Sequence, residues 1–138
     1  MKKFIGISST FLFIVVALVL GSLCWASDDE TPRITVEELK KMVDGKIDVV
    51  ILDVQPQTVY AKGHIKGALS FPWARKIDEA RVANLPRTKT IITYCDCGPG
   101  EADSASVAAQ LMELGFADVK VLKDPSIRGW KAAGYPME

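Results

Sequence analysis

The chain has 138 residues, 49% hydrophobic and 25% charged, which suits one globular domain with an extra apolar load. Its 17 basic and 17 acidic residues balance, and no basic stripe or arginine-rich helix appears, which argues against a nucleic-acid binder. Three cysteines are too few for a disulfide scaffold, and a domain of this size can bury a core without such staples.

The apolar load sits at the N-terminus. Met1-Lys2-Lys3 is a short basic start, Phe11 to Leu20 is unbroken apolar, and Cys24 and Ala26 occupy the −3 and −1 positions of a cut before Ser27. That is the grammar of a secretory signal peptide over residues 1–26. An uncleaved anchor is the alternative, because no charge falls between Ile5 and Ala26 and that run can just cross ~30 Å of hydrocarbon. A lipoprotein cut before Cys24 is disfavoured by the bulky Leu23. Each reading exports the domain, in a bacterium to the periplasm or to the periplasmic face of the inner membrane. Removal of residues 1–26 takes away Lys2 and Lys3, which leaves 15 basic against 17 acidic residues, a net charge of −2. Of the cysteines only Cys95 and Cys97 remain.

Residues 27–33 read as a polar, flexible lead, and the domain as 34–138. Thr35 with Glu38 forms a capping box, and Val36, Leu39, Met42 and Val43 share one face, so the spacing predicts a helix that ends at Gly45. Asp48 to Val54 is a run of branched apolar residues, typical of a buried parallel strand, and Pro56 breaks it. One helical turn is expected near residues 57–64 and a short extended stretch at 67–72. Residues 74–85 predict a helix closed by Pro86. Thr90 to Cys95 predicts a second buried strand, Asp103 to Leu114 a helix stopped by Gly115, and Val119 to Leu122 another strand. A short final helix starts near Ser126 and ends at Gly134 and Pro136. Strands alternating with helices predict an α/β domain with a mainly parallel central sheet flanked by helices.

Ligands in such sheets bind beyond the carboxyl ends of strands, and Cys95 stands at such an end just before a helix. A free thiol has a pKa of ~8.5, and the reactive form is the thiolate. The unpaired N–H groups and partial positive charge of a helix start lower that value. Gly98 and Gly100, on either side of Pro99, permit tight turns around the sulfur. These features suit a nucleophile that carries a charged sulfur species; the alternative is an inert buried cysteine. Cys97 reads as a resolving thiol, a recipient of sulfur from Cys95, or a packing residue. Metal binding is a weak reading, since one histidine and two cysteines lack ligand spacing. The acids Asp96, Glu101 and Asp103 surround the pair with negative charge.

The segment "ILDVQPQTVYAKGHIKGALSFP" carries Asp53, Tyr60, Gly63, His64, Ile65, Gly67 and Ala68. "TYC" follows, then Ser104 and the helix through Phe116, then "VKVLKDPSIRGWKAAGYP". In this order and over nearly the whole exported part, the chain resembles the rhodanese-like (sulfurtransferase) domain family. The resemblance implies a three-layer α/β fold with Cys95 as the nucleophile. The loop residues Asp96, Cys97, Gly98, Pro99, Gly100, Glu101, Ala102, Asp103 and Ser104 would cradle a persulfide. Expected partners are a small sulfur donor (thiosulfate, polysulfide or a persulfide) and a thiol acceptor, with a protein thiol as a further candidate. No metal or other cofactor is implied, and a membrane enters only if the N-terminal segment stays uncleaved.

The sequence also departs from the family. Gln55 stands where the family usually carries an arginine two residues after the aspartate, so a structural ion pair is lost. The loop is longer and has no base, which predicts weak thiosulfate activity and a preference for less anionic donors. An arginine clamp for phosphatase or arsenate chemistry is missing as well. His64 is expected to be structural, and Asp53 to satisfy backbone N–H groups while supporting the pocket. Trp73 and Trp130 read as packing residues, one of which could wall the site, and Arg75 and Arg128 could return positive charge to the loop. Two rival functions stand beside sulfur transfer: a non-catalytic binding module, and a thiol–disulfide redox protein using Cys95 and Cys97.

Overall fold

The structure, a computed structural model, describes residues 31–138. The expected leader at 1–26 lies outside the described residues, among which no helix is long and apolar enough to cross a membrane.

Five parallel strands form one sheet in the order β1-β5-β4-β2-β3. They are β1 (Arg33–Ile34), β2 (Val49–Asp53), β3 (Leu69–Ser70), β4 (Thr90–Tyr94) and β5 (Val119–Leu122). The helices are α1 (Val36–Asp44), α2 (Gln57–Tyr60), α3 (Glu79–Val82), α4 (Ala102–Glu113) and α5 (Ser126–Ala132). The apolar runs at 49–53 and 90–94 become the paired central strands, with Asp53 in register with Tyr94. Successive side chains of a strand point to opposite faces, so the two runs fill two cores. Ile51, Ile92, Tyr94, Leu122, Leu39, Ile127 and Trp130 form one. Leu52, Ile91, Cys95, Val121, Val107 and Leu111 form the other. Helices α1 and α5 therefore cover one face of the sheet and α4 the other. This is the expected three-layer α/β domain.

The capping box predicted at the first helix is present: Thr35 Oγ1 accepts from Glu38 N and the Glu38 carboxylate accepts from Thr35 N. Two expectations are corrected. The helix predicted over 74–85 shrinks to the single turn of α3, because Asp78 caps it from inside the segment through Arg81 N. Residues 73–78 instead run along α4, where Gln110 takes up their backbone groups at Ile77 N and Ala74 O. The lead predicted to be flexible through residue 33 is ordered at its end. Arg33 and Ile34 pair with Val121 and Leu122, and Val121 N donates to Pro32 O at 2.8 Å.

Candidate active site

Cys95 follows β4 at the carboxyl edge of the sheet and is 2% exposed. Its neighbour Tyr94 points into the opposite layer, so Cys95 is aimed at α4. Thr93 Oγ1 donates to Ser104 O at 2.9 Å, which pins the first turn of α4 onto the strand. Ser104, itself buried, places its Oγ 3.4 Å from Cys95 Sγ, and the same hydroxyl donates to Glu101 O at 3.1 Å. Between Cys95 and α4 the chain turns through left-handed backbone at Gly98 (φ 77°), Gly100 (φ 89°) and Glu101 (φ 46°). A Cβ at either glycine would meet nothing within 4 Å, so conformation rather than crowding calls for glycine there.

Cys95 and Cys97 are joined in a disulfide, with Cα atoms 5.5 Å apart. Cys97 is exposed while its partner is buried. The bond thus runs from the molecular surface to the floor of the loop.

The acids of the loop do not act together. Glu101 is 3% exposed and turned inward. Its Oε2 accepts from Arg33 Nε at 2.9 Å, and its Oε1 from Asp124 N at 2.7 Å. It therefore makes no side-chain cap on α4 and leaves that role open at the helix start facing the cysteines. Asp96 is exposed and pairs with Arg128 Nε at 2.9 Å, and Arg128 also holds Asp124. Positive charge does reach the loop, from Arg128 as expected and from Arg33, which was not. Arg75 stands exposed between β3 and α3. Asp103, in the first turn of α4, keeps its place on the rim. With Val54, Pro56, Pro72 and Trp73 it lines a groove of about 260 Å³. Trp73 is 45% exposed and donates to Ser106 Oγ at 3.3 Å, so it walls this groove. Trp130 is buried in the opposite layer. Another hollow, of about 220 Å³ beside α1 and α5, touches the site only through Asp124.

Asp53 is fully buried beside β4. Its carboxylate accepts from Gln55 N at 2.9 Å, from Gln55 Nε2 at 3.1 and 3.2 Å, and from Tyr94 OH at 2.6 Å. Gln55 thus aims an uncharged amide at both carboxylate oxygens. Burial, then the bond to Asp53, pushes the Tyr94 phenol well above its usual pKa, so it stays protonated. It donates to Asp53 and accepts from Ile65 N at 3.1 Å, which braces the strand just before Cys95.

His64 is not brought to the cysteines. Its Nδ1 lies 3.0 Å from Tyr60 O, its Nε2 3.5 Å from Glu138 Oε1, and its ring stacks on Tyr60 at 3.7 Å. Its contacts are those of a structural residue. Arg33 and Tyr94 escaped the sequence reading. Arg33 lies 68 positions from the glutamate it meets, and a tyrosine in an apolar strand reads as packing.

The sequence model of the family described as "Rhodanese-like domain" matches residues 35–133. Over 87 residues the chain is 36% identical to the thiosulfate sulfurtransferase GlpE of Coxiella burnetii, covering 63% of this chain and 76% of that protein. It is 29% identical over 123 residues to the HTH-type transcriptional regulator Rv0324 of Mycobacterium tuberculosis. That match covers 89% of this chain but only 50% of the relative, so the chain spans half the length of that protein. Among solved structures, the rhodanese-like domain of the Alr3790 protein from Anabaena is 30% identical, with a TM-score of 0.65 and 78% of each chain covered. The BH2092 protein from Bacillus halodurans shares the fold at 23% identity, with a TM-score of 0.69, 95% of this chain covered and 86% of that one.

Proposed function

The chain belongs to the rhodanese-like domain family, and on that premise we propose that it is an exported sulfurtransferase that carries sulfane sulfur on Cys95. The observation that carries the reading is the position of Cys95. It stands at the carboxyl edge of a central strand, beneath a helix start without a side-chain cap, with Ser104 Oγ 3.4 Å from its sulfur. Once the disulfide is reduced, the helix dipole favours a thiolate there. The thiolate attacks the sulfane sulfur of a donor, the donor's S–S bond breaks, and the leaving group takes the electron pair. From thiosulfate that group is sulfite. An acceptor thiolate then attacks the outer sulfur of the persulfide and restores Cys95, a two-step covalent cycle with ping-pong kinetics.

The charge argument against thiosulfate narrows to Asp103, since Asp96 and Glu101 are paired. Thiosulfate activity is therefore proposed as weak rather than absent, with polysulfides and small persulfides as better donors. The basic start, apolar run and small-x-small site support export to the periplasm. The disulfide favours a second reading, thiol–disulfide exchange without sulfur transfer.

Intact mass of the reduced protein before and after thiosulfate, and separately polysulfide, separates the two, with Cys95→Ser as control. A gain of one sulfur that disappears in Cys95→Ser is expected. Loss of two hydrogens on mild oxidation, with no sulfur gained from either donor, would leave only the exchange reading.

A further inference from the structure

We infer that Cys97 is a resolving thiol that discharges the Cys95 persulfide within the loop, so that the protein releases sulfide and ends its half-cycle as the Cys95–Cys97 disulfide. The inference rests on the sulfur-carrier reading and adds a fate for the sulfur that needs no acceptor.

Two observations carry it, the disulfide and the outward pairing of the residue between its cysteines. The two sulfurs reach bonding contact within the loop, across a single intervening residue. That residue, Asp96, turns outward to an exposed pair with Arg128, on the side of the turn away from the cysteines' bond. The bond is formed to the inner sulfur, Cys95 Sγ, which is the atom that a resolving thiol must attack.

The step balances as follows. The Cys97 thiol gives its proton to solvent, and its sulfur forms a bond to Cys95 Sγ. The outer sulfur of the persulfide takes up a proton from solvent, the bond from Cys95 Sγ to it breaks, and it leaves with the electron pair as hydrosulfide. Two thiol sulfurs are oxidised to a disulfide, and one sulfane sulfur is reduced to sulfide. Hydrosulfide is a weaker base than an alkyl thiolate, which favours its departure. Regeneration requires a thiol reductant, and the asymmetry of burial sets its course. Only the Cys97 end is exposed, so the incoming thiolate attacks Cys97 and expels Cys95 as the thiolate beside Ser104. The mixed disulfide left on Cys97 must then be cleared by a second thiol. A dithiol is accordingly the preferred reductant over a monothiol.

The test uses purified protein, reduced and freed of reductant under anaerobic conditions, then given one equivalent of thiosulfate or, in a parallel arm, polysulfide that is removed by gel filtration. Sulfite and sulfide are counted in the first arm and intact mass is read in both. The native protein is expected to yield one sulfite and one sulfide per chain and to end two hydrogens lighter than its reduced form. Cys97→Ser is expected to yield sulfite without sulfide and to keep one added sulfur. A native protein that retains the added sulfur as Cys97→Ser does would overturn the resolving role. If neither protein gains sulfur or forms sulfite with either donor, the sulfur-carrier reading fails and takes this inference with it.

Discussion

Glu101 holds a left-handed backbone that costs a non-glycine residue about 1–2 kcal/mol, and its buried carboxylate is what keeps it there. Two charge-assisted bonds, from Arg33 and from Asp124 N, outweigh that cost. The Arg33 side chain is 25% exposed, so part of its attraction is screened. Glu101→Ala is therefore expected to lower unfolding stability by about 2 kcal/mol in urea denaturation. Asp96→Ala, which breaks an exposed pair, is expected to lower it by less than about 1 kcal/mol. Equal losses would mean that Glu101 is not anchored as described. In the sequence these two residues and Asp103 are three acids in one loop. The strand-end position of Cys95, the glycines and Ser104 are legible there because they are set locally. The direction of Glu101 was not, because its partners come from β1 and the segment after β5.

The elements followed the same division. The capping box of α1 is written in four consecutive residues, Thr35 to Glu38, and was legible in full. Removing the Thr35 hydroxyl leaves Glu38 N without its acceptor. Thr35→Ala is expected to cost about 1 kcal/mol in the same denaturation measurement, against no more than a few tenths for Thr35→Ser. A Thr35→Ala protein as stable as the parent would show that α1 is held by packing alone. Helix α3 was overextended because residues 74–78 have helical composition but give their backbone groups to Gln110. Strand β1 was missed because two residues carry no periodicity; its identity comes from pairing with Val121 and Leu122.

Across the whole molecule, Glu38, Asp118 and Glu138 have carboxyl pKa values held below the usual range. The main causes are the backbone N–H of Thr35, the bond from Lys120, and the backbone N–H of Gly67, respectively. A lowered folded pKa means that the unfolded chain binds protons more readily. Each contribution is complete above the unfolded carboxylate pKa of about 4 and is lost as the pH falls through the folded value. The melting temperature is expected to be nearly level from about pH 7 to pH 5 and to fall below about pH 4. A rise on acidification over that lower range would contradict these assignments. The layered fold itself was legible from the order of apolar runs, because parallel strands buried on both faces need continuous hydrophobic sequence.

The ion pair between Arg33 and Glu101 also sets a boundary on how far the chain can be shortened from its N-terminal side. A cut beyond Pro32 would reach residues that both begin the sheet and brace the cysteine turn. A cut one residue too far would leave a domain with its core intact but its reactive loop loosened. Ragged processing would then appear as uneven reactivity in a preparation that looks uniformly folded.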